Sequence, residues 1–309
     1  MDGLIVVDKP TDWTSHDVVL RLRKLLKTGR IGHCGTLDPM ATGVLLVTVG
    51  QATRLFPYLS QLNKTYRGRI KLGQDTDTYD AQGQPLGPPS YQLPEKNQIL
   101  EVASHFEGKL NQLPPPYSAK KINGRPAFRL ARQGLKPELN PIAVIIYKFL
   151  ILAYNQPELE FLVECSSGTY IRSLAHDLGQ KLGCGAHLTA LRRIAAGCYS
   201  ETDALKPESI EKLAQRKAYS KFVIPMEKLL PNYPAVWLVK EGRTAFLNGA
   251  KINLSQVSRV VVTDRGEQTG VFYKVFSLEQ KLLGLASFDF QDKIFQPVLV
   301  FNSPDPKTF

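Results

Sequence analysis

Between Gly32 and Leu45 the chain reads Gly-His-Cys-Gly-Thr-Leu-Asp-Pro-Met-Ala-Thr-Gly-Val-Leu, which sets one carboxylate, Asp38, and one imidazole, His33, among three glycines. Glycine lets backbone approach a ligand closely, and an aspartate in such a loop is equipped to act as a base or a nucleophile. The same Asp-Pro pair is also a turn initiator. A carboxylate working in a pocket needs its charge stabilised, and Arg172, just after the Gly168-Thr169 turn, is a bidentate group of the right type to hold it ionised. Whether the two meet is decided by the fold. His33 and Cys34 are adjacent without a second ligand pair nearby, a poor zinc site, so no metal is expected. Phosphate-loop, dinucleotide-binding and nucleophile-elbow glycine motifs are missing, which leaves nucleotide hydrolysis, dinucleotide redox and α/β-hydrolase chemistry without signatures. Chemistry without a cofactor is the expectation.

Positioning these residues falls to the flanking elements. Leu4 to Val7 reads as a buried first strand, and Ser15 as the N-cap of a helix over Asp17 to Lys27, where Val18, Val19, Leu22, Leu25 and Leu26 share one face. Thr28 to Gly43 reads as loop, and Val44 to Val49 as a fully apolar strand. Strands follow at Tyr66–Leu72, Ala143–Tyr154 and Leu159–Cys165, and helices at Lys96–Phe106, Tyr170–Leu182 and Asp203–Lys217. Three prolines between Pro225 and Pro234 mark the expected domain boundary. Beyond it come short strands at 235–239, 260–263, 270–276, 282–290 and 298–301, with one helix at 240–247. The prediction is an α+β fold: a mixed-sheet catalytic domain over 1–231 and a small C-terminal β-barrel over 232–309.

The net charge of +11 over 309 residues points to a polyanionic partner. Residues 232–309 are nearly neutral, with nine Lys/Arg against seven Asp/Glu, so most of the excess lies in the first 231 residues. Seven basic residues and no acid fall between Gly108 and Pro137, reading either as a nucleic-acid surface or as a solvated basic loop. No apolar run approaches the length of a membrane span, and the N-terminus has no basic segment before its apolar stretch. Four scattered cysteines without a C-x-x-C fit a reducing cytoplasm.

The motif at 32–43 resembles the catalytic motif of the TruB family of tRNA pseudouridine synthases. The resemblance continues, in the family's order, through Leu4–Pro10, Lys64-Thr65-Tyr66, Gly73–Asp80, Tyr117–Lys121, Gly168–Leu174 and Gly183–Leu188. It implies isomerisation of uridine-55 in the tRNA T loop, by detachment, rotation and reattachment of the base, with no net redox change and no cofactor. By motif match Asp38 is the implied catalytic aspartate, acting as a nucleophile or by taking the C2′ proton. Arg172 is its implied partner, and Tyr66 and Tyr170 stack on or cover the base, Tyr66 also helping to remove the C5 proton. Leu191 is the implied apolar pocket residue, Lys9 and Pro10 pack beside the site, and His33 fills the vacancy left by the extruded uridine. Lys120, Lys121, Arg125, Arg129 and Arg132 fall in an RNA-contacting insertion at about 112–134, with Tyr117 and Phe128 as anchors, and the C-terminal unit is similar to PUA domains. The implied protein is a cytoplasmic monomer that acts on the tRNA T arm and T loop with no protein partner and no membrane. Two other readings stay open: a tRNA-binding or tRNA-folding protein without turnover, and a guide-RNA-dependent relative resembling dyskerin.

Overall fold

The structure is a computed structural model that describes residues 1–118, 120–122, 125–126, 133, 139–263 and 272–301, with backbone alone at 121, 122, 125 and 126. Alternation along the first strands decides where the core sits. In β1 (Gly3–Lys9), Ile5 and Val7 join one apolar cluster while Leu4 and Val6 join another. A helix, α1 (Ser15–Leu26), follows and buries Val18, Val19 and Leu22 in the first cluster. Its cap is Thr14, one residue earlier than expected: the Thr14 hydroxyl accepts from the Asp17 amide while the Asp17 carboxylate accepts from the Thr14 amide. The Ser15 hydroxyl is engaged elsewhere, accepting from the Leu37 amide at 2.8 Å.

The stretch expected to be loop throughout contains a short strand, β2 (Ile31–His33), paired antiparallel with β3 (Thr42–Val49). Three residues are too few to display a period. In β3, Leu45, Val47 and Val49 belong to the first cluster and Val44 and Leu46 to the second: the strand is buried on both faces, so Val44–Val49 is apolar except for Thr48, whose hydroxyl donates to the Gly32 carbonyl. By contrast β4 (Lys64–Leu72) alternates, sending Lys64, Tyr66, Gly68, Ile70 and Leu72 inward and Arg67, Arg69 and Lys71 outward.

Then come α2 (Lys96–Ser104), β5 (Gly108–Gln112), the antiparallel pair β6 (Ile142–Asn155) and β7 (Glu158–Cys165), α3 (Ile171–Leu182), β8 (Ala186–Ala196), α4 (Pro207–Gln215) and β9 (Ile224–Pro225). The long path through the main sheet runs β9-β1-β3-β8-β4-β7-β6-β5. Neighbours along it are antiparallel except β3 and β8, whose parallel seam pairs Arg192 with Thr42 and Arg193 with Gly43. At that seam Gly43 has φ +96°, and an added Cβ would lie 2.3 Å from the Arg193 carbonyl oxygen.

Two strands, β5 and β8, are not legible as strands in the sequence. β5 is a short polar edge, and β8 carries register shifts after Leu188 and Arg193 that break its two-residue period. The helix expected over Asp203–Lys217 occupies only Pro207–Gln215. Leu205 is held extended against β1, donating to the Val6 carbonyl and accepting from the Asp8 amide, and Pro207 then opens the helix.

The C-terminal part is a six-stranded sheet in the order Ile252–Asn253, Ile294–Val300, Leu282–Asp289, Phe272–Ser277, Ala235–Leu238, Val257–Val261, with one helix at Lys240–Leu247. It wraps its own core of Val236, Leu238, Phe246, Tyr273, Val275 and Phe295. A second apolar contact ties it to the main sheet, because Phe276, Leu282, Leu285 and Phe301 share one cluster with Leu4, Val6, Val44 and Leu46. The whole is the expected α+β class. No helix among the described residues is long and apolar enough to cross a membrane.

Candidate active site

The register of β4 against β8 builds a floor. Tyr66 lies opposite Arg193 and Gly68 opposite Leu191, so the two-residue period turns Lys64, Tyr66, Leu191 and Arg193 toward one face. All four line a cavity of about 260 Å³. Its walls are the Gly35–Asp38 loop on one side and the Ser166–Arg172 turn and helix start on the other.

The loop that carries Asp38 is fastened from several directions. The Cys34 amide donates to the Leu46 carbonyl, and the Leu37 amide to the Ser15 hydroxyl. Pro39 accepts from the Asp12 amide at 2.9 Å and from Lys9 Nζ at 3.1 Å. Lys9 is fully buried and also donates to the carbonyls of Pro10 and Trp13. Burial pulls its pKa down to about 8, against the attraction of Asp38 and Asp12.

Arg172 stands in the first turn of α3. Its Nε donates to Asp38 Oδ2 at 2.9 Å and its Nη2 to Asp38 Oδ1 at 3.0 Å, a bidentate pair. Nη1 lies 3.4 Å from Asp80 Oδ2, and the carbonyls of Thr78 and Tyr117 accept the remaining bonds. The three side chains differ in access: Arg172 is 7% exposed and Asp80 6%, whereas Asp38 is 36% exposed. Asp80 is thus a structural counter-charge and Asp38 the carboxylate open to a ligand. Asp80 is itself held by the Thr78 hydroxyl and the Gln82 amide.

Tyr170, just ahead of α3, is clamped by Gln112 from β5, whose amide oxygen accepts from the Tyr170 amide while its NH₂ donates to the Tyr170 carbonyl. Burial raises the Tyr66 and Tyr170 hydroxyls above the usual tyrosine range, and the positive charge of nearby Arg193 opposes that rise at Tyr66.

The fold therefore brings Asp38, Arg172, Tyr66, Tyr170 and Leu191 to one cavity, with Lys9 and Pro10 behind the loop. His33 is on β2 and is not among the residues lining that cavity. Its Nδ1 is buried without a hydrogen-bond partner among the described residues, and burial, then the neighbouring Arg193, lower its pKa. In the basic insertion, Lys120 is exposed, and Lys121 and Arg125 belong to short paired strands at 121–122 and 125–126. Arg129, Arg132 and Phe128 lie outside the described residues. Among the described residues no cluster of His, Cys, Asp and Glu has the makings of a metal site.

Four residues of the site were not singled out by their sequence: Lys64, Asp80, Gln112 and Arg193. The signal for two of them was the strand period. In Leu191-Arg192-Arg193 only alternate residues face the floor, so Arg192 points outward to Asp8 and Glu201 while Arg193 is buried. The Lys64 ammonium donates to the Ser60 carbonyl, and burial followed by repulsion from Arg193 lowers its pKa to about 8. A lysine whose folded pKa lies below its unfolded value destabilises the fold while it stays charged, and that penalty fades as pH rises from about 8 to about 10.5. Lys64→Met is therefore expected to melt above the parent protein at pH 7, by up to about 3 kcal/mol, with the gap closing by pH 10.5. Thermal unfolding of the two proteins across that range checks it.

Comparison with known proteins places this geometry. Residues 23–171 match the family model for the N-terminal domain of TruB family pseudouridylate synthases, and residues 172–231 match that for the C-terminal domain of tRNA pseudouridylate synthase B. Asp38 and Arg172 thus come from the two adjoining models. The chain is 37% identical to a protein named tRNA pseudouridine synthase B from Dehalococcoides mccartyi, over 99% of both chains. It is 41% identical to the protein of that name from Solibacter usitatus, over 81% of this chain and 85% of that one. Among solved structures it superposes with TM-score 0.74 and 25% identity on a chain of an H/ACA RNP bound to a substrate RNA containing 2′-deoxyuridine, over 97% of this chain and 85% of that one. A Cbf5-Nop10-Gar1 complex gives the same score over 97% and 84%. With both models abutting at the helix that carries Arg172, and full-length relatives this similar, the chain belongs to the TruB family of pseudouridylate synthases.

Proposed function

We propose that this chain is a tRNA pseudouridine synthase, an isomerase that converts uridine-55 of the T loop to pseudouridine. The observation that carries this reading is the exposed Asp38 carboxylate, gripped at both oxygens by Arg172 at the edge of a cavity of about 260 Å³ floored by Tyr66 and Leu191. The pocket suits a single extruded nucleoside: Tyr66 and Tyr170 offer ring faces to the base and Leu191 an apolar contact. Asp38 attacks C1′ or takes the C2′ proton, the base departs, turns and rejoins C1′ through C5, and Tyr66 assists removal of the C5 proton. His33 serves in the RNA stack, outside the cavity, in the place the uridine vacates.

The basic insertion and the C-terminal sheet serve as RNA-contacting parts, with catalytic residues in 1–231 and a PUA-like domain in 232–309. The protein works as a cytoplasmic monomer without an obligatory protein partner. Replacing Lys120, Lys121, Arg125, Arg129 and Arg132 together with neutral residues should weaken tRNA binding and reduce its salt slope by several units, at about 0.7 to 0.9 per lost phosphate contact. Binding titrations at a series of salt concentrations check this, and an unaltered slope would assign those charges to solvent.

The test of the activity is tritium release from an unmodified tRNA transcript labelled at uridine C5, with purified protein and no added guide RNA. Release approaching one equivalent per tRNA, abolished when the target uridine is replaced, establishes the isomerase. The likeness to chains of H/ACA particles favours a second, guide-dependent reading, which predicts release only when a guide is supplied. Saturable binding without release under either condition would leave an RNA-binding protein.

A further inference from the structure

The cavity floor holds more positive charge than the fold itself needs. Arg193 is 1% exposed and Lys64 5%, and neither forms an ion pair among the described residues. Arg193 is fixed by neutral partners: Nε donates to the Val44 carbonyl at 2.6 Å and Nη2 to the Gly35 carbonyl at 3.0 Å. Lys64 donates to the Ser60 carbonyl. Both line the same cavity as Asp38. Charge kept out of water without a counter-ion is destabilising, and the site's own carboxylates, Asp38 and Asp80, both pair with Arg172 and not with Arg193 or Lys64. Such an arrangement is suited to an anion that exists only while the ligand reacts.

We propose that Arg193, supported by Lys64, is a catalytic residue that stabilises negative charge on the uracil ring when it separates from the ribose. This rests on the proposed synthase activity. When the N1–C1′ bond breaks, its electron pair stays with the ring and the charge spreads over N1 and the two carbonyl oxygens. Asp38 meanwhile satisfies C1′ or removes the C2′ proton. When the C5–C1′ bond forms and the C5 proton leaves, the ring is neutral again, so no oxidant, reductant or further reactant enters. Arg193 is aimed into the cavity: a Cβ added to the cavity-lining Gly35 would lie 3.5 Å from Arg193 Nη1 and 3.7 Å from Lys64 Cε. Its carbonyl anchors fix the guanidinium at the cavity before substrate arrives.

The experiment compares Arg193→Gln and Arg193→Lys with the parent protein in single-turnover conversion of the target nucleoside, read by digestion and chromatography. Two tRNA transcripts are used, one with uridine and one with 5-fluorouridine, whose ring carries negative charge more readily; because fluorine replaces the C5 proton and cannot leave as that proton does, both are followed by disappearance of the starting nucleoside. With uridine, Arg193→Gln is expected to slow conversion by about 10²-fold or more while tRNA affinity stays within about twofold. Arg193→Lys should recover part of that rate. With 5-fluorouridine the deficit should shrink by about tenfold, because less external stabilisation is required. Equal deficits for the two bases, a wild-type rate in Arg193→Gln, or a loss confined to binding would overturn the proposal. Should Arg193→Gln fail to fold, Arg193→Lys carries the same comparison: a smaller deficit with 5-fluorouridine supports the proposal, and equal deficits overturn it. No conversion by the parent protein would instead refute the synthase reading on which the proposal rests.

Discussion

Asp38→Asn is expected to lower pseudouridine formation by about 10³-fold or more while leaving tRNA affinity within about twofold of the parent. Asparagine keeps the size of the side chain and one oxygen for Arg172. It loses the charge, the nucleophilic oxygen and the ability to take a proton. Apart from the Arg172 grip, the loop is held by Ser15, Asp12 and Lys9 through Leu37 and Pro39, and these fastenings do not depend on the Asp38 carboxylate. RNA contacts proposed for the basic insertion would be equally indifferent to one pocket atom. Single-turnover tritium release and binding titrations on the same preparation check both halves. Unchanged release would remove Asp38 from the chemistry, and a parallel loss of binding would make it a structural residue.

Arg172→Ala is expected to do two separable things. Removing the guanidinium strips Asp80, only 6% exposed, of its cation, and breaking a buried pair from one side costs about 3 to 5 kcal/mol. For a chain of this size that is a fall in melting temperature of roughly 10 °C. It also frees Asp38 from its two-point grip, so turnover should drop by about 10²-fold or more. Adding Asp80→Asn to Arg172→Ala removes the stranded charge. The double variant should regain much of the lost stability and none of the lost turnover. Melting curves and single-turnover rates for the four members of the cycle distinguish the two effects. A double variant no more stable than Arg172→Ala alone would mean that Asp80 has another buried partner.

How much of this was legible in the sequence depends on how local the determining pattern is. The apolar runs Leu4–Val7 and Val44–Val47 reveal strands buried on both faces, and α1 and α3 announce themselves by periodicity, because those signals lie within one segment. β8 escapes because its bulges reset the period and its paired arginines look like surface. The Asp38–Arg172 pair is legible as two compatible groups 134 residues apart, but their meeting depends on a sheet order that no local pattern encodes. Asp80 and Gln112 are harder still. Each matters through a partner, Arg172 in one case and the Tyr170 backbone in the other, so neither has meaning until the chain has closed. His33 shows the converse: the motif groups it with Asp38, yet it sits on β2 and is not among the residues lining the cavity that Asp38 borders.

The apolar cluster that joins Leu4, Val6, Val44 and Leu46 to Phe276, Leu282, Leu285 and Phe301 has a consequence for measurement. β3, which contributes Val44 and Leu46, also closes the loop bearing Asp38, so the C-terminal sheet is bolted to the strand that follows the reacting carboxylate. An RNA contact made on that sheet is a contact at a set distance from Asp38. With RNA touching that sheet, as proposed above, the molecule would work as a calliper with one jaw at the pocket and one on the distal sheet, and an RNA whose two touching points are spaced differently would fail to fill both jaws. Discrimination by span in this way asks nothing of the base sequence in between.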